Sequence, residues 1–314
     1  MMTKKQLNQV KIITNSRLHF GFLNLKSQET YSFGGMGLSI DKYPTTITVT
    51  KARKFKSNLS EVLNKKIKKF FLIKKFNSNI QIDCIQKPES HIGLGSGTQL
   101  TLAIEEALNK IYKLKYTNCE IFKRAYRSGI GYNSYNNGGF IVDSPKRDLN
   151  NNKIIFKCNF PKHWKIILLF DRNMKGTYGK KEEKFFLSNN ISSIRKKLSD
   201  ITLNEIIPSV IYEDFDIFAR SLTQFQKLNS SFYTSIQKSI HLSTDIADII
   251  KKIRSNFNIA SGQSSWGPTS YMFTDSRNDL KEIISILDRE ISMYNNLSYN
   301  VVSAKNNGRK ISYT

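Results

Sequence analysis

Apolar and polar positions recur along this 314-residue chain with the periods of both strands and helices. The first fifty residues predict strands, because "VKIITNS", "RLHFGFLNL" and "TTITVT" are short apolar or β-branched runs. The segment "IQIDCIQ" at 80–86 alternates with a period of two, which predicts a half-buried strand. Between the early strands, Gly34, Gly35 and Gly37 predict an interruption of regular structure within 31–41.

Helical periodicity marks two further parts of the first half. The segment 51–75 carries ten Lys or Arg residues against one acid. Its apolar positions share one helical face: Leu59, Leu63, Ile67 and Phe70. This pattern predicts an amphipathic helix with a solvated basic side. Helices are also predicted at 97–113 and 117–128.

The second half begins near Pro161, where the pattern changes. Just before it, "NNGGFIVD" and "KIIFKCNF" predict two paired strands, and just after it "WKIILLF" predicts a buried strand. Helices are predicted at 192–230, 242–256 and 278–293, followed by the strand "LSYNVVSAK". Interleaved strands and helices favour an α+β fold in both halves, with one domain at 1–160 and another at 161–314.

Charge and composition leave several function classes open. The net charge is +24, which is compatible with a nucleic-acid or membrane-surface binder, or with a Lys-rich enzyme that takes anionic substrates. The apolar runs are far shorter than the roughly 20 residues that span a bilayer, and the N-terminus has no apolar signal region. Three widely spaced cysteines without a CxxC pair indicate neither disulfides nor zinc. We expect a cytoplasmic protein that binds neither membrane nor nucleic acid.

A glycine-rich loop, "GLGSGT" at 93–98, lies between a predicted strand and a predicted helix. Glycines allow positive φ and close backbone approach, and the amides at a helix start attract anions. The loop therefore predicts a phosphate cradle. The predicted cradle residues are Gly93, Leu94, Gly95, Ser96, Gly97 and Thr98. The loop lacks the GK[ST] ending of a Walker motif, and the alternative is a helix cap with a tight turn.

Two other glycine-containing segments accompany this loop. The segment "SGQSSWGPTSYMF" at 261–273 places a Trp among small polar residues at a strand entrance, and "YRSGIGYNSYNNGGFIVD" covers 126–143. The first predicts a ligand-facing loop, with a buried Trp beside a turn as the alternative. Its predicted substrate contacts are Gln263, Ser264, Ser265, Trp266 and Gly267.

Together these blocks resemble a known family. "SRLHFGFLNL", "FGGMGLSID", "HIGLGSGTQL", "RSGIG", "GGFIVD" and "GQSSWGPT" occur in the order typical of beta-ribofuranosylaminobenzene 5'-phosphate synthases, a non-kinase branch of the GHMP kinase superfamily. The resemblance implies an N-terminal α+β domain with a left-handed crossover and a C-terminal ferredoxin-like domain. Gly131 stands where several kinases of the superfamily have an Asp base, which disfavours phosphoryl transfer.

The resemblance also implies a reaction in tetrahydromethanopterin biosynthesis. 5-Phosphoribosyl 1-pyrophosphate would condense with 4-hydroxybenzoate or 4-aminobenzoate, and pyrophosphate and carbon dioxide would leave. Arg17, His19 and Asp143 are the expected catalytic residues. Arg17 is the preferred cation for the 5'-phosphate, ahead of Arg127 and Lys175.

Cofactor and partner expectations complete the hypothesis. Mg²⁺ is the expected cofactor, with Asp143 and Glu182 as weak candidates for ligands that the sequence leaves unidentified. Trp266 or Phe20 is expected to wall an aromatic acceptor pocket. The superfamily often dimerises, so a homodimer is expected. Two alternatives remain: a GHMP-type small-molecule kinase that uses ATP, and a non-catalytic binder of anions or nucleic acid.

Overall fold

A computed structural model describes residues 7–24, 31–114, 122, 128–146, 153–176, 192–231 and 239–314. The helix predicted at 117–128 lies outside the described residues, apart from Phe122 and Ser128. The stretch that carries Glu182 and Glu183 lies outside them as well.

Thirteen strands are found in the described part of the chain. In the first half these are β1 Gln9–Ile13, β2 Ser16–Phe22, β3 Gly35–Ile40, β4 Thr46–Lys51, β5 Lys56–Ser57, β6 Ile80–Gln86, β7 Phe140–Asp143 and β8 Ile154–Cys158. In the second half these are β9 Lys165–Asp171, β10 Ala260–Gln263, β11 Ser270–Thr274, β12 Leu297–Val302 and β13 Lys310–Tyr313. The paired strands predicted around 136–160 are confirmed, because β7 and β8 pair antiparallel.

Helices cover the sheets, and apart from α3, which the sequence did not predict, they lie close to the predicted positions. The described helices are α1 Glu61–Lys74, α2 Ser96–Tyr112, α3 Ile130–Asn137, α4 Ser192–Ile201, α5 Ile207–Ile211, α6 Phe215–Ser230, α7 Thr244–Arg254 and α8 Arg277–Ile291. A π-helical turn, Thr202–Ile206, joins α4 to α5. Side chains of Asp214, Ser243 and Ser276 cap the starts of α6, α7 and α8 by accepting backbone amides.

Three sheets organise these strands. Their orders are β13-β1-β4-β6-β5, β2-β3-β7-β8 and β10-β11-β9-β12. Counted from β9, the third sheet has the order 2-3-1-4, every pair is antiparallel, and α8 connects its last two strands. This β-helices-β-β-helix-β arrangement is that of a ferredoxin-like domain, as expected.

The interruption predicted at 31–41 is wrong in part, because β3 runs from Gly35 to Ile40. Glycine is required there by close packing rather than by a turn. A Cβ on Gly37 would lie 2.5 Å from the Ile130 side chain and 2.5 Å from the Leu18 carbonyl oxygen. Glycines within a strand commonly mark such close approaches.

The amphipathic helix predicted from 51–75 is confirmed as α1. Ile67 and Phe71 are buried in the core beneath the first sheet, Leu63 packs at the edge of the same core, and Phe70 is buried as well. The helix ends at Lys75, whose φ of 56° is left-handed. Its lysines lie largely on the exposed side.

An aromatic core connects β2, β3 and β7 to the helices and sheet that follow residue 160. Phe160 and Trp164 pack edge to face at a centroid distance of 5.3 Å, and Phe218 packs between Trp164 and Phe273. The C-terminal strand returns to the first sheet, where β13 pairs with β1. The division into 1–160 and 161–314 stays a prediction.

The returning segment is held by a group that we call the tail cluster: Glu106, Tyr135 and Arg309. Arg309 donates to both Glu106 carboxylate oxygens, at 2.8 and 2.7 Å, and the Tyr135 hydroxyl donates to one of them at 2.6 Å. The guanidinium also lies 5.0 Å from the centroid of the Tyr135 ring. This cluster ties the C-terminal segment to α2 and α3.

Within the described residues, no helix has both the length and the apolar character needed to cross a membrane.

Candidate active site

Strand β2 carries the first two predicted catalytic residues on one face. Alternation places Leu18 and Phe20 in the aromatic core, while Arg17 and His19 face the opposite side of the sheet. The Phe20 ring is fully buried and packs against Phe140, Tyr271 and Phe273. Phe20 therefore belongs to the core, whereas Arg17 and His19 lie on the side of the glycine loop.

The glycine loop ends where α2 begins, as the sequence predicts. Gly93 and Gly95 have φ values of 91° and 80°, a region that residues with a Cβ rarely adopt. The Thr98 and Gln99 amides both donate to the Gly95 carbonyl at 3.1 Å, so the helix starts directly at the loop. The positive end of the α2 dipole therefore points at the loop.

Arg17 supports the glycine loop by donating hydrogen bonds to two of its carbonyl groups. Its guanidinium donates to the Gly93 carbonyl, and its backbone amide donates to the Leu94 carbonyl at 3.2 Å. A Cβ on Gly95 would lie 3.2 Å from the Arg17 guanidinium carbon. The loop is thus seated on a half-buried positive charge, which strengthens its attraction for an anion.

The other cradle residues have different environments. The Leu94 side chain is buried in the aromatic core, and Gly97 is exposed in the first turn of α2. The Ser96 hydroxyl donates to the Glu89 carbonyl at 3.3 Å. Thr98 lies against α3, where a Cβ on Gly131 would be 3.0 Å from its methyl group. The starts of α2 and α3 therefore meet.

The segment around 261–269 is joined to both β2 and the glycine loop. The Ser264 hydroxyl accepts the His19 amide at 3.0 Å and donates to the Gly93 carbonyl at 2.7 Å. The Ser265 amide donates to the His19 carbonyl at 3.0 Å. Ser264 thereby connects its own segment to β2 and to the glycine loop, in each case through a backbone group of the partner.

The remaining members of this segment are packed around it. Gln263 accepts the Leu242 amide at 2.7 Å through its side chain, and a Cβ on Gly267 would collide with that side chain. Ser265 is left-handed, with a φ of 55°. Trp266 is largely buried at the margin of the aromatic core. A pocket with free volume of about 10 Å³, enough for one water molecule, lies beside Gln263, Ser265 and His19.

His19 on β2 and Asp143 on β7 lie on either side of β3 in the second sheet. A Cβ on Gly35 would lie 3.3 Å from His19 Nε2 and 3.4 Å from Asp143 Oδ1, so both side chains flank this glycine. His19 Nε2 is 2.9 Å from the Ser128 hydroxyl, and the Gly129 amide donates to Asp143 Oδ2. We call Arg17, His19, Ser128 and Asp143 the loop cluster.

Burial shifts the pKa of both titratable groups that flank Gly35, in opposite directions. Desolvation and, second, the positive charge of Arg17 lower the pKa of His19 to about 3, so the imidazole is neutral at neutral pH. Desolvation raises the pKa of Asp143 to about 7, although the Gly129 amide, the positive charge of Lys146 and the Gly35 amide, which is not close enough to pair with Oδ1, oppose the shift. Asp143 Oδ1 and His19 Nδ1 are buried without hydrogen-bond partners among the described residues.

Other predicted residues are only partly placed. Lys175 is exposed, but the adjacent Gly176 packs against the Gly267 carbonyl, so this segment reaches the site. Arg127 and Glu182 lie outside the described residues. Across the described ranges, no group of three or more His, Cys, Asp or Glu side chains could hold a metal ion.

Three site residues were not predicted. The Gln226 side chain donates to the Phe20 carbonyl and accepts the Gln263 amide at 3.0 Å. Asn229 bonds both backbone groups of Phe22, at 3.1 and 2.8 Å. Ser128 lies in the quoted "RSGIG" block but was given no role. The only sequence signal for Gln226 and Asn229 is a polar side chain on the buried face of α6.

Comparison with known proteins is consistent with this site. A family model described as the GHMP kinases N terminal domain matches residues 58–145, which include the glycine loop. Solved structures with this fold include a homoserine kinase from Cytophaga hutchinsonii, with a TM-score of 0.66 and 14% identity over 99% of this chain and all of that one. A mevalonate diphosphate decarboxylase from Staphylococcus aureus gives a TM-score of 0.70 at 12% identity, over 98% of each chain.

Curated relatives are similar along most of the chain. A protein of Methanocaldococcus jannaschii named beta-ribofuranosylphenol 5'-phosphate synthase is 26% identical over 96% of this chain and 99% of its own. Proteins of the same name from Archaeoglobus fulgidus and Methanothermobacter thermautotrophicus are each 25% identical over 85% of this chain. The matched regions cover 88% and 89% of those two proteins. The resemblance found in the sequence is therefore confirmed: this chain has the GHMP kinase fold and is a relative of the beta-ribofuranosylphenol 5'-phosphate synthases.

Proposed function

We propose that this protein joins 5-phosphoribosyl 1-pyrophosphate to 4-hydroxybenzoate or 4-aminobenzoate, forming an aryl C-riboside 5'-phosphate. The relatives' name describes a product with a ribofuranosyl group, a phenol and a 5'-phosphate. The observation that carries the proposal is the anion cradle of Gly93–Thr98, seated on Arg17 and tied by Ser264 to β2. A substrate with a diphosphate and a phosphate needs such positively polarised positions.

Departure of pyrophosphate is the step that the cradle would assist. The bond from C1 of the ribose to the pyrophosphate oxygen breaks, and its electron pair leaves with the pyrophosphate. Charge develops on the leaving oxygen, where helix-start amides and a guanidinium are most effective because they are already oriented. Arg17 acts from beneath the loop in this proposal, by adding positive charge and by holding the Gly93 carbonyl away from the anion.

Carbon–carbon bond formation follows at the acceptor ring. The ring carbon that bears the carboxylate attacks C1 of the ribose. Carbon dioxide then leaves, and the electron pair of its bond restores the aromatic ring. A poorly solvated carboxylate favours this loss, so an apolar wall is needed. Trp266 stays our candidate for that wall, because it lies at the margin of the aromatic core, beside the loop residue Ser265, whereas Phe20 is fully buried within that core.

Mg²⁺ belongs to the proposal as a companion of the substrate. The described residues supply one buried carboxylate at the site, Asp143, and no multidentate cluster, so they do not form a magnesium site by themselves. Mg²⁺ is commonly bound through substrate phosphates with only one or two protein carboxylates. Bound to the diphosphate, the ion would neutralise part of its charge. The homodimer and the cytoplasmic location expected from the sequence stay proposals as well.

The kinase alternative is disfavoured by the surroundings of Gly131. A Cβ at this position would lie 3.0 Å from the Thr98 methyl group, so a carboxylate side chain there would crowd the start of α2. Gly131 can neither accept nor orient a substrate proton.

The test compares the candidate activities on one preparation. We expect release of carbon dioxide and pyrophosphate from 5-phosphoribosyl 1-pyrophosphate with 4-hydroxybenzoate or 4-aminobenzoate. A parallel incubation with ATP and small alcohols, including homoserine, should consume no ATP. ATP consumption without carbon dioxide release would replace the synthase by a kinase. Salt-dependent RNA binding without either turnover would favour the non-catalytic alternative.

A further inference from the structure

Asp143 is a buried carboxylate with an unused acceptor. Its side chain is at the end of β7 and is 1% exposed. One oxygen accepts the Gly129 amide, whereas Oδ1 has no hydrogen-bond partner among the described residues. Leaving a buried acceptor unpaired costs free energy, and the cost is largest for a charged group such as a carboxylate, so a partner for Oδ1 is favoured.

When Asp143 is ionised, the group that completes Oδ1 must be a donor. A carboxylate oxygen accepts hydrogen bonds and repels phosphate oxygens, so a hydroxyl, an N–H or a cation is required. No metal-binding cluster accompanies Asp143 in the described ranges. His19 flanks the same glycine but is 2.9 Å from the Ser128 hydroxyl, so its Nε2 already has a partner.

The backbone groups next to Asp143 favour an anion, whereas the ionised Asp143 favours a hydrogen-bond donor. Gly129, which donates to Asp143, immediately precedes α3, and the start of α3 meets the start of α2 at Gly131 and Thr98. Two positive helix ends therefore converge beside the glycine loop, a position that favours an anion. The Ser128 hydroxyl at the same helix start accepts the Ile130 amide at 3.1 Å. A preference for an anion thus adjoins a preference for a donor.

A phosphorylated sugar satisfies both preferences within one molecule. We propose that Asp143 Oδ1 accepts a hydrogen bond from a ring hydroxyl of a phosphorylated sugar whose diphosphate lies at the joined starts of α2 and α3. This inference rests on the proposed function for the identity of the sugar, ribose, and it makes Asp143 a residue for sugar recognition. The sequence alone predicted a catalytic role or weak metal binding for Asp143.

The test separates sugar binding from phosphate binding, with Asp143→Asn as the first variant. The Gly129 amide orients the new side chain so that its oxygen faces Gly129 and its NH2 group faces the sugar, replacing an acceptor by a donor. Calorimetry would measure the dissociation constants of ribose 5-phosphate and of inorganic pyrophosphate. We expect ribose 5-phosphate to bind about 10- to 100-fold more weakly, as for loss of a charge-assisted hydrogen bond, with pyrophosphate unchanged.

Two further variants keep the result interpretable. Asp143→Ala should weaken ribose 5-phosphate binding to a similar degree, so it provides the test if Asp143→Asn does not fold. Asp171→Asn is the matched control, because Asp171 is also buried but accepts from Ser243 at 2.6 Å and from Asn296 at 2.7 Å. It should lower the melting temperature and leave both dissociation constants unchanged.

Other outcomes would overturn the assignment. Equal weakening of ribose 5-phosphate and pyrophosphate by Asp143→Asn would make Asp143 a support of the loop. Weakening that disappears without Mg²⁺ would make it a metal ligand. A raised KM for the aromatic acceptor with unchanged ribose 5-phosphate affinity, or no ribose 5-phosphate binding by the wild type, would also reject it. Carbon dioxide release by the wild type tests the proposed function separately.

Discussion

Two charged clusters are buried in this protein, and they differ in how completely they are paired. In the tail cluster, both oxygens of Glu106 accept hydrogen bonds, from Arg309 and from Tyr135. In the loop cluster, Asp143 Oδ1 and His19 Nδ1 have no hydrogen-bond partner within the part of the chain that the structure describes. Both clusters join distant parts of the chain, so position alone does not distinguish them.

The difference in pairing indicates different roles. A saturated cluster has no capacity left for a ligand, and its hydrogen bonds serve the fold. Burial with open acceptors shifts pKa values and favours ligand binding, as is typical of functional sites. Substitutions in the tail cluster should therefore change stability alone. Substitutions in the loop cluster, or in the residues packed against it, should change activity, and those of its buried titratable groups should also change the pH dependence of stability.

The largest expected effect is that of Gly95→Val on activity. Gly95 has a φ of 80°, and a Cβ there would lie 3.2 Å from the Arg17 guanidinium. Valine would therefore strain the loop and displace the charge beneath it. We expect carbon dioxide release to fall about 1,000-fold or more, as for loss of preoriented anion stabilisation.

Gly95→Ala provides the graded control for this prediction. Alanine has the same left-handed strain but fewer atoms near Arg17, so its activity should lie between those of wild type and Gly95→Val. Circular dichroism must show both variants folded. Activity of Gly95→Val within a few-fold of wild type would contradict the cradle assignment.

The second prediction concerns the pH dependence of stability. The folded pKa of Asp143, about 7, is above its ordinary 3.8, so the folded state binds more protons between these values. The stabilisation is present below pH 4 and is lost as pH rises to 7. Raising the pKa of Asp143 from 3.8 to about 7 corresponds to a free energy on the order of 4 kcal/mol. Relative to wild type, Asp143→Asn should therefore gain stability as pH rises from 4 to 8.

His19 gives the opposite sign over nearly the same range. Its folded pKa, about 3, is below its ordinary 6.5, so its contribution to stability falls as pH decreases from 6.5 to 3. The two residues therefore offset each other in the wild type, and only single variants separate them. Urea unfolding of His19→Asn and Asp143→Asn at pH 5 and 8 should show relative stabilities that change in opposite directions. Parallel changes would contradict the independent burial of the two groups.

The third prediction applies to the tail cluster. Arg309→Met leaves the buried Glu106 carboxylate without its guanidinium, and breaking a buried pair costs about 3 kcal/mol or more. We expect a lower urea midpoint with unchanged kcat/KM in the folded protein. Lys65→Met is the control, because Lys65 contacts Glu61 at 2.7 Å while the two side chains are 75% and 79% exposed, and such an exposed pair contributes little to stability. Equal effects of the two variants would remove the contrast between the clusters.

Much of the fold could be predicted because local patterns determine it. The apolar face of α1, the alternation in β6 and the apolar run of β9 depend on neighbours along the chain. Local patterns did not predict β3 as a continuous strand or the short helix α3, and β3 was missed because Gly35 and Gly37 are required by contacts with other segments. Their Cβ positions meet His19 and Ile130, which no local pattern reveals.

The site was predictable as a set of motifs but not as a set of contacts. The motifs around Arg17, Gly93 and Ser264 do come together, yet the bonds that join them use backbone carbonyls and amides. Ser128 and Gln226 take part through partners about 100 to 200 residues away. The sequence pattern does not predict such pairings, because helix and strand periodicity depends on neighbours along the chain and contains no information about which distant residues meet.

The smallest predicted effect is that of Ser264→Ala, and it tests whether Ser264 acts on substrate or on the loop. The hydroxyl bonds the His19 amide and the Gly93 carbonyl, so alanine leaves two buried backbone groups unpaired at a cost of about 1–3 kcal/mol. A loop held less firmly should bind the leaving pyrophosphate less well, with carbon dioxide release reduced about 10-fold. Ser209→Ala is the matched control, because its buried hydroxyl donates only within its own helical segment, to Ile206 at 2.8 Å. A raised KM for the aromatic acceptor with unchanged pyrophosphate inhibition would instead identify Ser264 as a direct substrate contact, as the sequence predicted.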